Sequence, residues 1–296
     1  MRLLGGLVAL ALVAGAAGWW FTAPPPVPAS YAALTGNPEA GRLAFAAAGC
    51  ASCHTDPEAE PSDSPVLSGG QRFASDFGTF IAPNISPSPE GVGAWSDAEL
   101  IHAVRAGVSP SGAHLYPAFP YAAYNKALPQ DVADLVAYLR TLPPSEVESL
   151  PHEVGFPFNL RRGLGLWKAL FLSDDYVLAE AELDSPVDRG RYLVEALGHC
   201  GECHTPRNPL GALDTSRWLG GAPHPSGEGT IPNITPAGLS WSEAEIAEYL
   251  KSGFTPDFDT AGGEMAEVVA TISQLSDDDR LAIAAYLKAV PEVAPD

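Results

Sequence analysis

The chain has 296 residues, 46% of them hydrophobic and 18% charged, enough for two domains of ordinary size. Its formal net charge of −20 argues against a nucleic-acid binder, which needs a basic footprint, and suits a soluble surface able to steer a basic partner. With 29 Gly and 29 Pro, the sequence points to helices separated by many turns.

Met1 and Arg2 are followed by an uncharged apolar run from Leu3 to Phe21 that ends in Trp19, Trp20 and Phe21. The run is long enough to span a bilayer, with its aromatics at the interface and Arg2 on the cytoplasmic side. Ala14, Ala16 and Ala17 also resemble a signal-peptide cleavage site, so residues 1–22 read as a membrane anchor or a signal segment. Either way the body of the protein is exported. Ala23-Pro24-Pro25-Pro26-Val27-Pro28 opens a stretch, 23–35, that reads as a stiff polyproline spacer standing the domains off the bilayer.

Next comes Cys50-Ala51-Ser52-Cys53-His54, and far downstream Cys200-Gly201-Glu202-Cys203-His204. Cys-x-x-Cys-His is the attachment signature of c-type haem. Two thiols on one helical turn can bond the two vinyl groups of one porphyrin, and the following His is placed to bind the iron. Cys-x-x-Cys also binds zinc, but a structural zinc site needs a closed set of four ligands. The chain has 4 cysteines in all, and the two motifs use every one. Two covalently bound haems are expected, with iron ligated by His54 and His204.

The rest of the chain repeats with a period of about 150 residues. Gly41-Arg42 before the first motif returns as Gly190-Arg191 before the second, and Pro83-Asn84-Ile85 returns as Pro232-Asn233-Ile234. Trp95-Ser96-Asp97-Ala98-Glu99 returns as Trp241-Ser242-Glu243-Ala244-Glu245. A closing helix over 131–142 returns over 277–290. Ser96 with Glu99 and Ser242 with Glu245 form capping boxes that start the second helix of each copy. The closing helices carry apolar stripes at Val132, Leu135, Val136 and Leu139, and at Leu281, Ala284, Ala285 and Ala289. The expected fold is all-α: one domain over 36–145, a second over 186–292, and a linker over 146–185. The apolar middle of that linker, Arg161 to Leu172, is expected to pack between the domains, with a membrane surface as the competing place for it.

These motifs, over Gly36 to Pro291, resemble a diheme cytochrome c built of two class I-type cytochrome domains. The chain is similar to the membrane-bound cytochrome c subunits of periplasmic alcohol and aldehyde dehydrogenases, which usually carry a third such domain. The resemblance implies low-spin haems that pass single electrons, each with a proximal His and usually a distal Met. It implies that Met265 is the distal ligand in the second domain, and that the Pro83 and Pro232 carbonyls accept the ring protons of His54 and His204. Asn84, Asn233, Arg72, Trp95, Trp218 and Trp241 are candidate propionate partners.

The first domain departs from the pattern. The step that carries Gly253 to Met265 carries Gly107 to Phe119, and the later place that some relatives use for Met is Ala127. His114, Lys126 and His102 are the alternatives for the sixth position of the first iron, with an open site as the fourth. The function implied is periplasmic electron transfer from a dehydrogenase or the cytochrome bc1 complex to a cytochrome or terminal oxidase, on the periplasmic side of the inner membrane. An open first iron would instead suit a haem enzyme acting on peroxide or another small ligand, with His114 as its acid–base group.

Overall fold

The computed structural model of the protein describes residues 13, 15–60, 62–179, 185–225 and 229–294. Two domains of matching design lie in tandem. The first holds α1 (Pro38–Ala47), α2 (Cys50–His54), α3 (Asp97–Ala106), α4 (Tyr121–Tyr124) and α5 (Pro129–Leu139). A linker helix, α6 (Gly163–Phe171), leads to the second, which holds α7 (Ser185–Tyr192), α8 (Gly201–His204), α9 (Glu243–Ser252), α10 (Glu264–Ile272) and α11 (Asp277–Ala289).

Each domain is closed by its first helix crossing its last, α1 on α5 and α7 on α11. A glycine sits at each crossing. A Cβ on Gly41 would collide with the Asp134 carbonyl, and one on Gly190 with the Ala282 carbonyl, so only hydrogen lets the backbones approach. Asn37 caps α1 by accepting from the Glu39 amide at 2.9 Å, and the Asn37 amide in turn donates to Asp134 at 2.8 Å. Both capping boxes are formed: Ser96 caps α3 and Ser242 caps α9, each with its glutamate reaching back. The same two helices end on glycines in the left-handed region, Gly107 and Gly253.

The stripe expected on α5 is buried: Val132, Leu135, Val136 and Leu139. On α11 the buried face is rotated from the expected one. Leu281 is exposed, while Ile283, Ala284, Tyr286 and Leu287 lie inside. Tyr286 sets this rotation, because its hydroxyl must reach polar partners within the core.

Each domain also carries a short antiparallel hairpin: β1 (Arg72–Ser75) with β2 (Gly78–Ile81), and β3 (Ala222–Pro223) with β4 (Thr230–Ile231). The fold is therefore largely helical rather than all-α.

Residues 1–12 and 14, which hold most of the expected anchor, lie outside the described residues. Among the described residues no helix is long and apolar enough to cross a membrane. The proline-rich stretch after it does not stand free. The Thr22 carbonyl faces His114 Nε2 and the Pro25 carbonyl faces His102 Nε2, both at 3.0 Å, and Tyr31 is buried with its hydroxyl bonded by Arg105. Pro25 lies in polyproline backbone, which has no internal hydrogen bonds, so its carbonyl is open to His102.

Candidate functional site

The two Cys-x-x-Cys-His segments are short helices, α2 and α8, each entered through a residue in the left-handed region: Gly49 before the first, His199 before the second. His54 Nδ1 lies 2.8 Å from the Pro83 carbonyl, and His204 Nδ1 lies 2.8 Å from the Pro232 carbonyl. Burial pulls both imidazoles below their ordinary pKa, so each is neutral; Nδ1–H donates to the proline carbonyl and Nε2 keeps its lone pair.

The proline carbonyls are themselves fixed. Asn84 Nδ2 donates to the Val147 carbonyl at 2.7 Å, and Asn233 Nδ2 to the Val293 carbonyl at 2.7 Å. Each Asn Oδ1 accepts from the amide two residues on, Ser86 at 2.8 Å and Thr235 at 2.9 Å. From the other side the Ile85 amide donates to the Leu67 carbonyl, and Ile234 to Leu219, both at 3.0 Å. The His54 carbonyl accepts from Gly69, and the His204 carbonyl from Gly221.

The thiols are single rather than bridged. Burial pushes the unbridged thiols of Cys50 and Cys200 up to about 12 and that of Cys53 up to about 11. Among the described residues no group of three or more His, Cys, Asp or Glu is arranged to hold a metal ion.

This paired geometry agrees with what is known of other chains. The cytochrome c family model matches residues 38–143 and 187–291. The chain belongs to the cytochrome c family. It is 57% identical over 294 residues, 99% of each chain, to a diheme cytochrome c-type protein of Cereibacter sphaeroides. It is 41% identical to the fructose dehydrogenase cytochrome subunit of Gluconobacter japonicus, over 86% of this chain and 52% of that one. It is 35% identical to the cytochrome c subunit of the quinone alcohol dehydrogenase of Gluconobacter oxydans, over 82% of this chain and 52% of that one. The chain thus spans about half the length of these dehydrogenase subunits. It is a cytochrome c with two covalently bound haem c groups.

The residues present fit that group: a pair of unbridged cysteines one turn apart, next to an imidazole whose Nδ1 is already bonded, occurs twice in this cytochrome. Met265 lies half-buried in the first turn of α10, which packs on α9 in its own domain and reaches α1 and α2 of the first. In the first domain Phe119 stands against Tyr124 with ring centroids 5.7 Å apart, and Ala127 is buried. Lys126 is paired with Glu195 at 3.6 Å and is largely covered. His114 keeps one buried nitrogen, Nδ1, without a protein partner.

Several candidate propionate partners are engaged elsewhere. Trp218 donates to the Tyr286 hydroxyl at 2.9 Å, and Arg72 pairs with Glu153 at the surface.

Two residues that matter escape sequence reasoning. Glu195 is fully buried and accepts from the Val177 amide at 2.7 Å and from the Tyr286 hydroxyl at 2.5 Å, besides facing Lys126 across the domain boundary. Its signal is a lone acid inside the apolar run Leu193-Val194-Glu195-Ala196-Leu197. His199 Nε2 lies 3.3 Å from the Ala48 carbonyl, and its ring meets Tyr124 edge-on at 5.5 Å. The two attachment helices are therefore joined directly, through the residues just before their first cysteines. No local signal marks that contact.

Proposed function

We propose that this diheme cytochrome is a relay for single electrons on the periplasmic side of a bacterial inner membrane, tethered through residues 1–22. It takes electrons from a dehydrogenase or the cytochrome bc1 complex and delivers them to a soluble cytochrome or terminal oxidase. The relatives that serve as cytochrome subunits of fructose and alcohol dehydrogenases support a dehydrogenase as donor. The working units are residues 36–145 and 186–292, with 146–185 between them. Cys50, Cys53 and His54 hold the first haem; Cys200, Cys203 and His204 hold the second, with Met265 on its distal side.

When bound, each haem supplies reversible one-electron chemistry, and a thioether ligand raises its potential. The chain supplies position. Pro83 and Pro232 hold the imidazole planes and keep Nδ1 protonated, Asn84 and Asn233 hold the proline turns, and the cysteines prevent loss of the group. The observation that carries the reading is the duplicated 2.8 Å contact from histidine Nδ1 to a proline carbonyl beside a cysteine pair.

Phe119 at the place of Met265 supports a second reading, in which the first site is open to peroxide or another small ligand and the chain is a haem enzyme. The oxidised absorption and EPR spectra of the wild type and Met265→Ala separate the two. The relay predicts one thioether-ligated low-spin species, lost in the variant, beside a second low-spin species with a nitrogen ligand. His114→Ala and Lys126→Ala then identify that nitrogen. A high-spin second species that takes up cyanide readily would favour the enzyme. Two thioether-ligated species in the wild type would overturn the assignment of the first site.

A further inference from the structure

We propose that the outward face of α6 and the loop before it rests in the headgroup–acyl boundary of the bilayer, beside the N-terminal tether. This rests on the tether reading above and adds a second membrane contact to it.

The segment from Phe156 to Phe171 divides by face. Inward, Gly165 lies so close to Thr22 that a Cβ would collide with its backbone. Lys168 Nζ donates to the Ala106 and Gly107 carbonyls at 2.6 and 2.7 Å, and Trp167 Nε1 to the Leu210 carbonyl at 2.9 Å. Outward, Leu166 and Leu170, one turn apart, are 56% and 62% exposed, and the loop before them leaves Phe156 at 80% and Leu160 at 58%. Inward packing between domains therefore accounts for only half of this apolar stretch.

The N-terminal segment arrives at the same place. Trp20 and Phe21, which end the uncharged run, are 74% and 81% exposed. Arg162 joins the two parts: its guanidinium stacks 4.1 Å from the Trp19 ring centroid, donates to the Trp19 carbonyl, and reaches Thr22 Oγ1 at 3.1 Å. The apolar run thus leaves the body of the protein where the apolar face stands.

Single exposed leucines are ordinary, but apolar side chains grouped along one segment mark a surface that is covered. Three observations identify a lipid surface as the cover. The uncharged run ends here, at Trp19 to Phe21; these are aromatics of the kind found at a membrane interface; and Arg161 and Arg162 bring positive charge in a chain of net charge −20. Such a contact holds the first domain at a fixed tilt, where a tether alone would let it swing.

The four native cysteines are consumed in thioether bonds, so one added cysteine carries one spin label. The full chain is reconstituted in vesicles of phosphatidylethanolamine and phosphatidylglycerol with a label at Leu10→Cys or at Leu170→Cys. EPR power saturation then compares collisions with oxygen and with a water-soluble nickel chelate, and haem content checks folding. The expected result is a shift toward oxygen at both sites, larger at position 10. Lipid exposure at 10 with an aqueous signal at 170 would overturn the second contact and leave the tether standing; this is also the outcome if a protein subunit covers the face. Aqueous signals at both positions would overturn the tether and the proposal with it.

Discussion

The approaches to the two attachment helices start from the same glycine and end at the same motif, yet the second is one residue longer: Gly41 to Cys50 against Gly190 to Cys200. The first domain runs straight, with α1 regular to Ala47 and a glycine taking the left-handed turn. The second absorbs its extra residue as a π-turn over Leu193–Leu197, closed by the Gly198 amide on the Leu193 carbonyl. That turn carries Glu195 to the domain boundary and leaves His199, rather than a glycine, in the left-handed position. An inserted residue in a helix is commonly found where a protein re-aims a side chain for use. Here the use is joining the domains. A cleft of about 530 Å³, lined by Lys126, Glu195, His199 and Trp218, lies along the seam.

Removing one attachment site tests the duplication most directly. Cys200→Ala with Cys203→Ala should halve the haem per chain, read by pyridine haemochrome and by mass, and should leave the first site's spectrum intact. If both haems are lost, the domains are not independent units.

The asymmetry at the seam is tested by Lys126→Met. It strips the counter-charge from buried Glu195, and losing one partner of a buried pair costs about 3–5 kcal/mol. The loss should appear in denaturant unfolding and be largely recovered by adding Glu195→Gln. A silent Lys126→Met would mean the pair does not hold the domains.

The symmetry of the helix crossings is tested by Gly41→Ala and Gly190→Ala, made separately. Overpacking of this kind costs about 1–3 kcal/mol, and the two values should be alike, because each Cβ meets a carbonyl of the partner helix. The smallest expected effects are at the caps. Ser96→Ala and Ser242→Ala should each cost about 1 kcal/mol in thermal or denaturant unfolding, again equally. Unequal values in either pair would locate a difference between the domains beyond the π-turn.

What was legible in the sequence was local. The Cys-x-x-Cys-His segments and both capping boxes depend on neighbours a few residues away, and a repeat doubles the signal of each. The buried face of α11 is not legible from its apolar spacing, because a polar side chain, Tyr286, reaches Trp218 and Glu195 far along the chain. The hairpins leave no trace in the sequence pattern, because strands of two to four residues are too short for a readable alternation. The Leu67 and Leu219 carbonyls, which support the Pro-Asn turns, sit in a Leu-x-Gly step that recurs in the sequence (Leu67-Ser68-Gly69 and Leu219-Gly220-Gly221) and is a further landmark of the repeat. Lys126 and His114 are candidates through a nitrogen near the place where the second domain has Met265. Sequence distance hid that one faces Glu195 and the other Thr22.

The contact between His199 and Ala48 has a consequence for timing. The Ala48 carbonyl and a His199 ring nitrogen lie 3.3 Å apart, so the residues that enter the two attachment helices touch directly, with no loop between them. Tunnelling falls off steeply with separation, so a junction of constant width gives a constant hopping rate. If the proposed relay operates, transfer between the two haems should be insensitive to the viscosity of the medium, while the encounter with a redox partner should slow as viscosity rises.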